Sequence, residues 1–305
     1  MFQTPILFII FNRPKETAKV FERIRQIQPK QLFIAADGPR ESNIADLKHC
    51  EQARQVVKQI DWNCSVKTLF REKNLGCGQA VSEAITWFFG HIEEGIILED
   101  DCLPELSFFS FCSLMLNKYR NESKIMQIAG TNYLFNNSKS QANRYYFSAY
   151  NSVWGWATWR HAWQYYEFEI KSLDKIHKIL EKRFLNTDLK NWLEQSFKAV
   201  YEGKVDTWDF QWNFIFQKMD GLCIVPNVNL IKNIGYFGTH YWGKTHLSNM
   251  PTLEFDLDNI LEPFNMAIDF EKDNIAALHL TDFELSFYKK LENKIFCIFK
   301  NINLE

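Results

Sequence analysis

Short apolar runs alternate with longer amphipathic stretches through the first hundred residues, and this alternation predicts βαβ units around a mostly parallel sheet. Ile6 to Phe11, Leu32 to Ala36, Val66 to Phe70 and Ile96 to Leu98 read as four successive strands. Asn12-Arg13-Pro14 stops the first run. Pro14 suits a first helical position, and Val20, Phe21, Ile24 and Ile27 give the following segment one apolar helical face. Asp37-Gly38-Pro39 is a turn signal, a helix is expected from about Ser42 to Ile60, and another runs through Phe89. Pro104 is expected to open the next helix.

From about residue 140 the pattern becomes aromatic and irregular, with two helices expected over roughly 172–184 and 187–202. Trp156, Trp159 and Trp163 fall at spacings of three and four, which predicts one helical face packed into a core. Phe283 to Phe299, interleaved with Lys289, Lys290 and Lys294, fits an amphipathic helix on a membrane surface. It fits equally a helix docked on the domain through Phe283, Phe287, Leu291 and Ile295. The opening apolar run is too short for a signal core or a membrane span.

Lys plus Arg number 35 and Asp plus Glu 37, so the formal charge of -2 supplies no general attraction to nucleic acid. Seven cysteines lie scattered without a CxxC pair, which fits reduced thiols in a cytoplasmic chain. Aromatic residues make up 16% of the chain, a share that serves either a large core or stacking platforms for bases and sugars.

The sharpest local signal is Glu99-Asp100-Asp101 directly after Ile96-Ile97-Leu98. Acidic runs often only solvate a loop or favour the start of a helix. At the carboxyl end of a sheet strand, where ligands gather, the same residues suit a hard divalent cation, Mn²⁺ or Mg²⁺, that neutralises a diphosphate. Asp37 is a candidate acceptor for a base N–H, or a simple Asx turn before Gly38. Arg13 suits phosphate or base contact, or a surface ion pair. Asn74-Leu75-Gly76-Cys77-Gly78 precedes a helix without the Lys of a P-loop, so it reads as a tight junction or an anion cradle. Trp154 and Gly155, ahead of the expected tryptophan helix, are a candidate ligand-facing pair.

In Asp206-Thr207-Trp208-Asp209, a carboxylate between aromatic side chains suits general-base work, against the plainer reading of a helix cap. His240 and His246 lie in a glycine-rich stretch and are candidates for the metal or the diphosphate.

Taken in order, these segments resemble the β-1,2-N-acetylglucosaminyltransferase I family of inverting GT-A enzymes and the related bacterial nucleotide-diphospho-sugar transferases. ILFIIFNRP resembles the family's first strand, implying nucleotide contacts for Phe11 and Arg13, and AADG implies a uracil contact for Asp37. ILEDD resembles its metal motif, which implies Asp101 as metal ligand and Glu99 and Asp100 at the donor and ribose. VWGWATW resembles the acceptor-side Gly-Trp segment, and TWDFQW implies Asp209 as the catalytic base. The stretch PNVNLIKNIGYFG resembles a region that precedes a donor-covering loop and implies His240 or His246 near the metal only indirectly.

The sequence departs from the family where Phe210 replaces a second acidic residue, and Arg71 to Gly78 lacks a counterpart of its uracil-side His. Asn74 and Gly76 are carried as nucleotide-sugar candidates from that loop.

The resemblance implies an α/β GT-A (Rossmann-like) domain over 1–250, with a nucleotide-sugar half at 1–135 and an acceptor half at 136–250, then a C-terminal helical extension at 251–305. It implies an inverting, metal-dependent transfer from a UDP-sugar, with UDP-N-acetylglucosamine first, to a glycan or lipid-linked glycan acceptor. The expected setting is cytoplasmic, with the C-terminal segment as the element that would touch the inner membrane. The competing classes are a sugar-phosphate nucleotidyltransferase, whose glycine-rich basic loop FNRPKE does not resemble, and a non-catalytic sugar-binding or scaffold protein.

Overall fold

The computed structural model describes residues 1–134, 141–235 and 250–281. The chain adopts the expected α/β fold. An eight-stranded sheet of order β3-β2-β1-β4-β8-β6-β9-β7 is flanked by helices on both faces.

Strands β1 (Ile6–Ile10), β2 (Gln31–Ala36), β3 (Ser65–Phe70) and β4 (Glu94–Glu99) are mutually parallel, and three of them match the expected runs closely. They are joined by α1 (Pro14–Ile27), α2 (Ile44–Val56) and α3 (Cys77–Phe89). Antiparallel β8 (Trp156–Trp159) separates β4 from β6 (Ile125–Ala129), and β9 (Leu222–Pro226) pairs parallel with β6. Antiparallel β7 (Tyr145–Ser148) forms the edge.

One apolar layer joins α1, α2 and α4 (Leu106–Tyr119) to Ile6, Phe8 and Ile10 of β1. The other joins α3 to the helices of the second half, α5 (Arg160–Trp163), α6 (Ile176–Arg183), α7 (Thr187–Tyr201) and α8 (Asp209–Lys218). Side chains alternate between these layers along each strand, because successive Cβ atoms in a strand point to opposite faces.

Two local expectations give way. Trp156 to Trp159 form a strand rather than a helical face: Trp156 enters one layer and Ala157 and Trp159 the other. A run buried on both faces carries no readable period, so the tryptophan spacing was not helical evidence. Pro104 does not open a helix but ends β5 (Cys102–Pro104), which pairs antiparallel with β10 (Ile231–Asn233). The acidic turn is therefore tied on its far side to a segment 130 residues downstream.

Residues 250–281 pack along the β7 edge, with Phe255 in one layer and Ala277 of the helix over 270–281 in the other. Of the expected extension, the described part thus shares the core of the main body. Phe283 to Phe299 lies outside the described residues, as do His240 and His246. Among the described residues no helix is long and apolar enough to cross a membrane.

Candidate functional site

Strand order runs 3-2-1 and then reverses to 4, so the carboxyl ends of β1 and β4 flank a topological switch point, where open α/β sheets form a crevice. Phe11-Asn12-Arg13 leaves β1 on one side and Glu99-Asp100-Asp101 leaves β4 on the other. The two turns are locked together. Asp100, 1% exposed, accepts from the Phe11 backbone N–H at 3.0 Å and pairs with Arg13 Nη2 at 2.5 Å. Arg13 Nη1 reaches Asp101 Oδ2 at 2.6 Å. Burial pulls the Arg13 guanidinium pKa down, but Asp100 and Asp101 outweigh it and the net shift is upward.

Asp209, the first residue of α8 in the second half, lies near enough to Glu99 for its charge to raise that carboxyl. Its Oδ1 accepts from the Thr207 hydroxyl and from the Phe210 N–H at 2.9 Å, and no described residue bonds Oδ2. Behind it, Trp208 stacks on Trp156 at 5.8 Å, and Trp212 Nε1 donates to the buried Gln127 Oε1 at 2.6 Å. These contacts fix the start of α8 against the sheet.

The electrostatics show how crowded the site is. Burial first, then Asp101, raises the Glu99 carboxyl well above the usual carboxylate range, and Asp100 and Asp209 add to it. The Cys77 thiol is likewise pushed up by burial and then by Glu99, Asp209 and Asp206. Among the described residues Glu99, Asp100, Asp101 and Asp209 therefore share one neighbourhood with a single opposing cation, Arg13.

Asp37 sits differently. At the end of β2, it accepts from Gly38 N at 2.9 Å, Asn74 Nδ2 at 2.9 Å and Leu75 N at 3.0 Å. Asn74 Nδ2 also reaches Gly38 O at 2.8 Å. A carboxylate has about four lone-pair positions, and the loop takes most of them. Asp37 and Asn74 are thus the fastening of the 71–78 loop.

The anion at that loop is internal. Asp206 accepts from Cys77 N at 3.0 Å and Gly78 N at 2.9 Å, capping α3 from 128 residues away. Gly76 has φ +82, and a Cβ there would stand 2.5 Å from Asp206 Oδ2. Gly155 lies beside the end of β4, where a Cβ would stand 3.4 Å from Leu98 Cδ2, next to the acidic turn. Trp154 packs near Tyr133 with its carbonyl taken by the Thr131 hydroxyl, and the space above the buried Gly155 is filled by Ile231.

No protein-family model matches the chain, and no curated protein matches it. Among solved structures it is similar to HddC from Yersinia pseudotuberculosis, at 11% identity over 56% of this chain and 84% of that one, with a TM-score of 0.33. It is also similar to a cytidylyltransferase from Leptospira borgpetersenii, at 12% identity over 66% and 74%, with a TM-score of 0.34. Mouse xyloside xylosyltransferase 1 in its apo form matches at 9% identity over 71% and 81%, with a TM-score of 0.32. Overlaps this shallow leave the functional reading to the chain's own geometry.

Among the described residues no group of three His, Cys, Asp or Glu side chains is arranged around a common metal position. The fit to a cation rests instead on Asp101. Among the described residues its Oδ1 has only the weak Cys102 thiol contact at 3.5 Å, and a Cβ at Gly235 would crowd Oδ2. One carboxylate plus substrate oxygens is an ordinary way to bind a hard cation that arrives with a diphosphate.

Sequence reasoning missed Asp206 as a partner of α3 and did not single out Cys77 or Gly235. The paired glycines at 76 and 78 were the only signal for the first, and they do not say which acid they admit.

Proposed function

We propose that the chain is an inverting glycosyltransferase that takes a sugar from a nucleotide-diphosphate donor, with UDP-N-acetylglucosamine as the first candidate, to a hydroxyl of a glycan or lipid-linked glycan. The observation that supports this most is the crowding of acidic groups at the β1/β4 crevice, where among the described residues Glu99, Asp100, Asp101 and Asp209 gather around one guanidinium. Such a site repels a bare diphosphate and suits one that arrives with a divalent cation.

In this reading Asp101 holds the Mn²⁺ or Mg²⁺. The bound ion supplies charge neutralisation for the departing diphosphate. Arg13 keeps Asp101 and Asp100 in place, and the Phe11 turn and the loop fastened by Asp37 form the nucleotide side. Asp209 uses its unbonded Oδ2 to take the proton from the acceptor hydroxyl, which attacks the anomeric carbon from the face opposite the leaving group. Trp208 and Trp156 brace that carboxylate.

The test is incubation with a panel of UDP-sugars and Mn²⁺ or Mg²⁺, following UDP release and the anomeric configuration of the product by NMR. Metal-dependent release with inversion is expected, with a fall of about 10³-fold or more in Asp101→Asn, the scale of losing a principal charge-stabilising group. A retained configuration would remove Asp209 as base. Pyrophosphate made from a nucleoside triphosphate and a sugar phosphate, with no UDP release, would instead make the chain a nucleotidyltransferase.

A further inference from the structure

We propose that Asp273 is a positioning residue: through a buried chain of side-chain amides it ties the docking of the helix over 270–281 to the placement of α8, the helix that begins with Asp209. The link stands on geometry alone, whereas its meaning for catalysis rests on the glycosyltransferase reading.

The chain of amides runs in one direction. Gln217 Nε2 donates to Asn213 Oδ1 at 3.4 Å, Asn213 Nδ2 to Asn151 Oδ1 at 2.7 Å, Asn151 Nδ2 to Gln127 Oε1 at 3.2 Å and Gln127 Nε2 to Ser152 O at 2.5 Å. All four amides are buried. Donor-only groups fix their orientation at both ends: Arg183 Nε reaches Gln217 Oε1 at 2.6 Å, and Trp212 Nε1 reaches Gln127 Oε1 at 2.6 Å. Asp209, Asn213 and Gln217 follow at spacings of four on α8, so one stripe of that helix carries both the amides and the candidate base.

Asp273 joins this chain from the C-terminal helix. Its Oδ2 accepts from Ala149 N at 2.8 Å, and the carbonyl of the same alanine accepts from Gln217 Nε2 at 2.9 Å. Asp273 is 5% exposed, and its Oδ1 is buried without a hydrogen-bond partner. The groups around it do little for a negative charge. The Ser148 hydroxyl donates to Tyr150 O at 3.0 Å, burial holds Tyr146 and Cys223 protonated, Asp269 is a like charge paired with Lys272, and Arg183 is held by Gln217, Asp220 and Gly221 O.

Burial foremost therefore pushes the Asp273 carboxyl up to about 7. The sign follows: docking of the C-terminal helix is unpenalised while the acid stays neutral, weakens as pH rises from the usual carboxylate range to about 7, and changes no further above it. Ionisation also strengthens acceptance from the Ala149 N–H, and hydrogen-bonded amides in series polarise one another. The charge state of Asp273 is thus felt at α8.

Proton–nitrogen correlation NMR on the full chain tests the link without any substrate. The reporters are the Ala149 N–H, the Trp212 indole N–H and, as a control in the opposite apolar layer, the Trp62 indole N–H bonded to Pro29 O. As pH crosses neutrality, Ala149 and Trp212 are expected to move along one sigmoid with its midpoint near 7 while Trp62 stays still. Both should become flat in Asp273→Asn, which is isosteric and always neutral. In Asn151→Ala, Ala149 should keep its titration and the Trp212 response should fall several-fold. A flat Trp212 in the wild type, a midpoint unlike that of Ala149, or a Trp212 response undiminished in either variant overturns the proposal. Should Asp273→Asn fail to fold, the wild-type midpoints and Asn151→Ala decide. With an active transferase, Asp273→Asn should remove the same inflection from kcat and leave the donor KM unchanged, and a change in KM alone would overturn the positioning role. A link seen by NMR without any UDP release would retain the link while removing the transferase reading.

Discussion

Two acidic strand ends face the same edge of the sheet and are wired in opposite ways. Asp37, after β2, spends its oxygens on the N–H groups of its own and the neighbouring loop. Glu99, Asp100 and Asp101, after β4, crowd together with Asp209 and share one guanidinium. The first arrangement removes a hydrogen-bonding debt and builds structure. The second leaves charge uncompensated among the described residues, which a fold tolerates where a ligand supplies the balance. Strand-end carboxylates that look alike in sequence are thus a fastening in one case and a candidate site in the other.

The comparison can be broken at Arg13 first. Arg13→Ala leaves Asp100 buried beside Asp101 without its cation, and loss of about 3–5 kcal/mol of stability is expected in urea unfolding. An unchanged midpoint would mean that the turn is not held by this pair. Asp37→Ala should cost less, about 1–3 kcal/mol, because it strands the N–H groups of Gly38, Leu75 and Asn74 without removing a charge partner. Limited proteolysis should then cut first within 71–78, and protection equal to that of the wild type would count against the fastening role.

The smallest effect is expected from Asp206→Ala, about 1 kcal/mol for a lost helix cap. Its sharper readout is chemical. With a carboxylate gone and the α3 N-terminus uncovered, the Cys77 thiol should ionise more readily and react faster with a disulfide reagent. An unaltered rate would separate Cys77 from the Asp206 contact.

Much of the frame was legible in the sequence because strands β1 to β4 are apolar runs punctuated by Gly, Pro and Asp, which local chemistry alone explains. The acidic turn was legible for the same reason, through its place after Ile96-Ile97-Leu98. What local pattern hid was every long-range decision. Nothing in DTWDFQW says that Asp206 crosses to α3 while Asp209 starts α8. Nothing in VWGWATW says that Trp156 is inserted antiparallel between β4 and β6 and so buried on both faces. Nothing local says which distant side chain will lie against Gly155; it is Ile231.

Calorimetric titration of UDP in the presence and absence of Mn²⁺ tests the central claim most directly, run on the wild type, Asp101→Asn and Asp37→Asn. Binding that requires the metal, disappears in Asp101→Asn and survives in Asp37→Asn is the predicted result. UDP binding of equal strength without metal, or unchanged in Asp101→Asn, would contradict it.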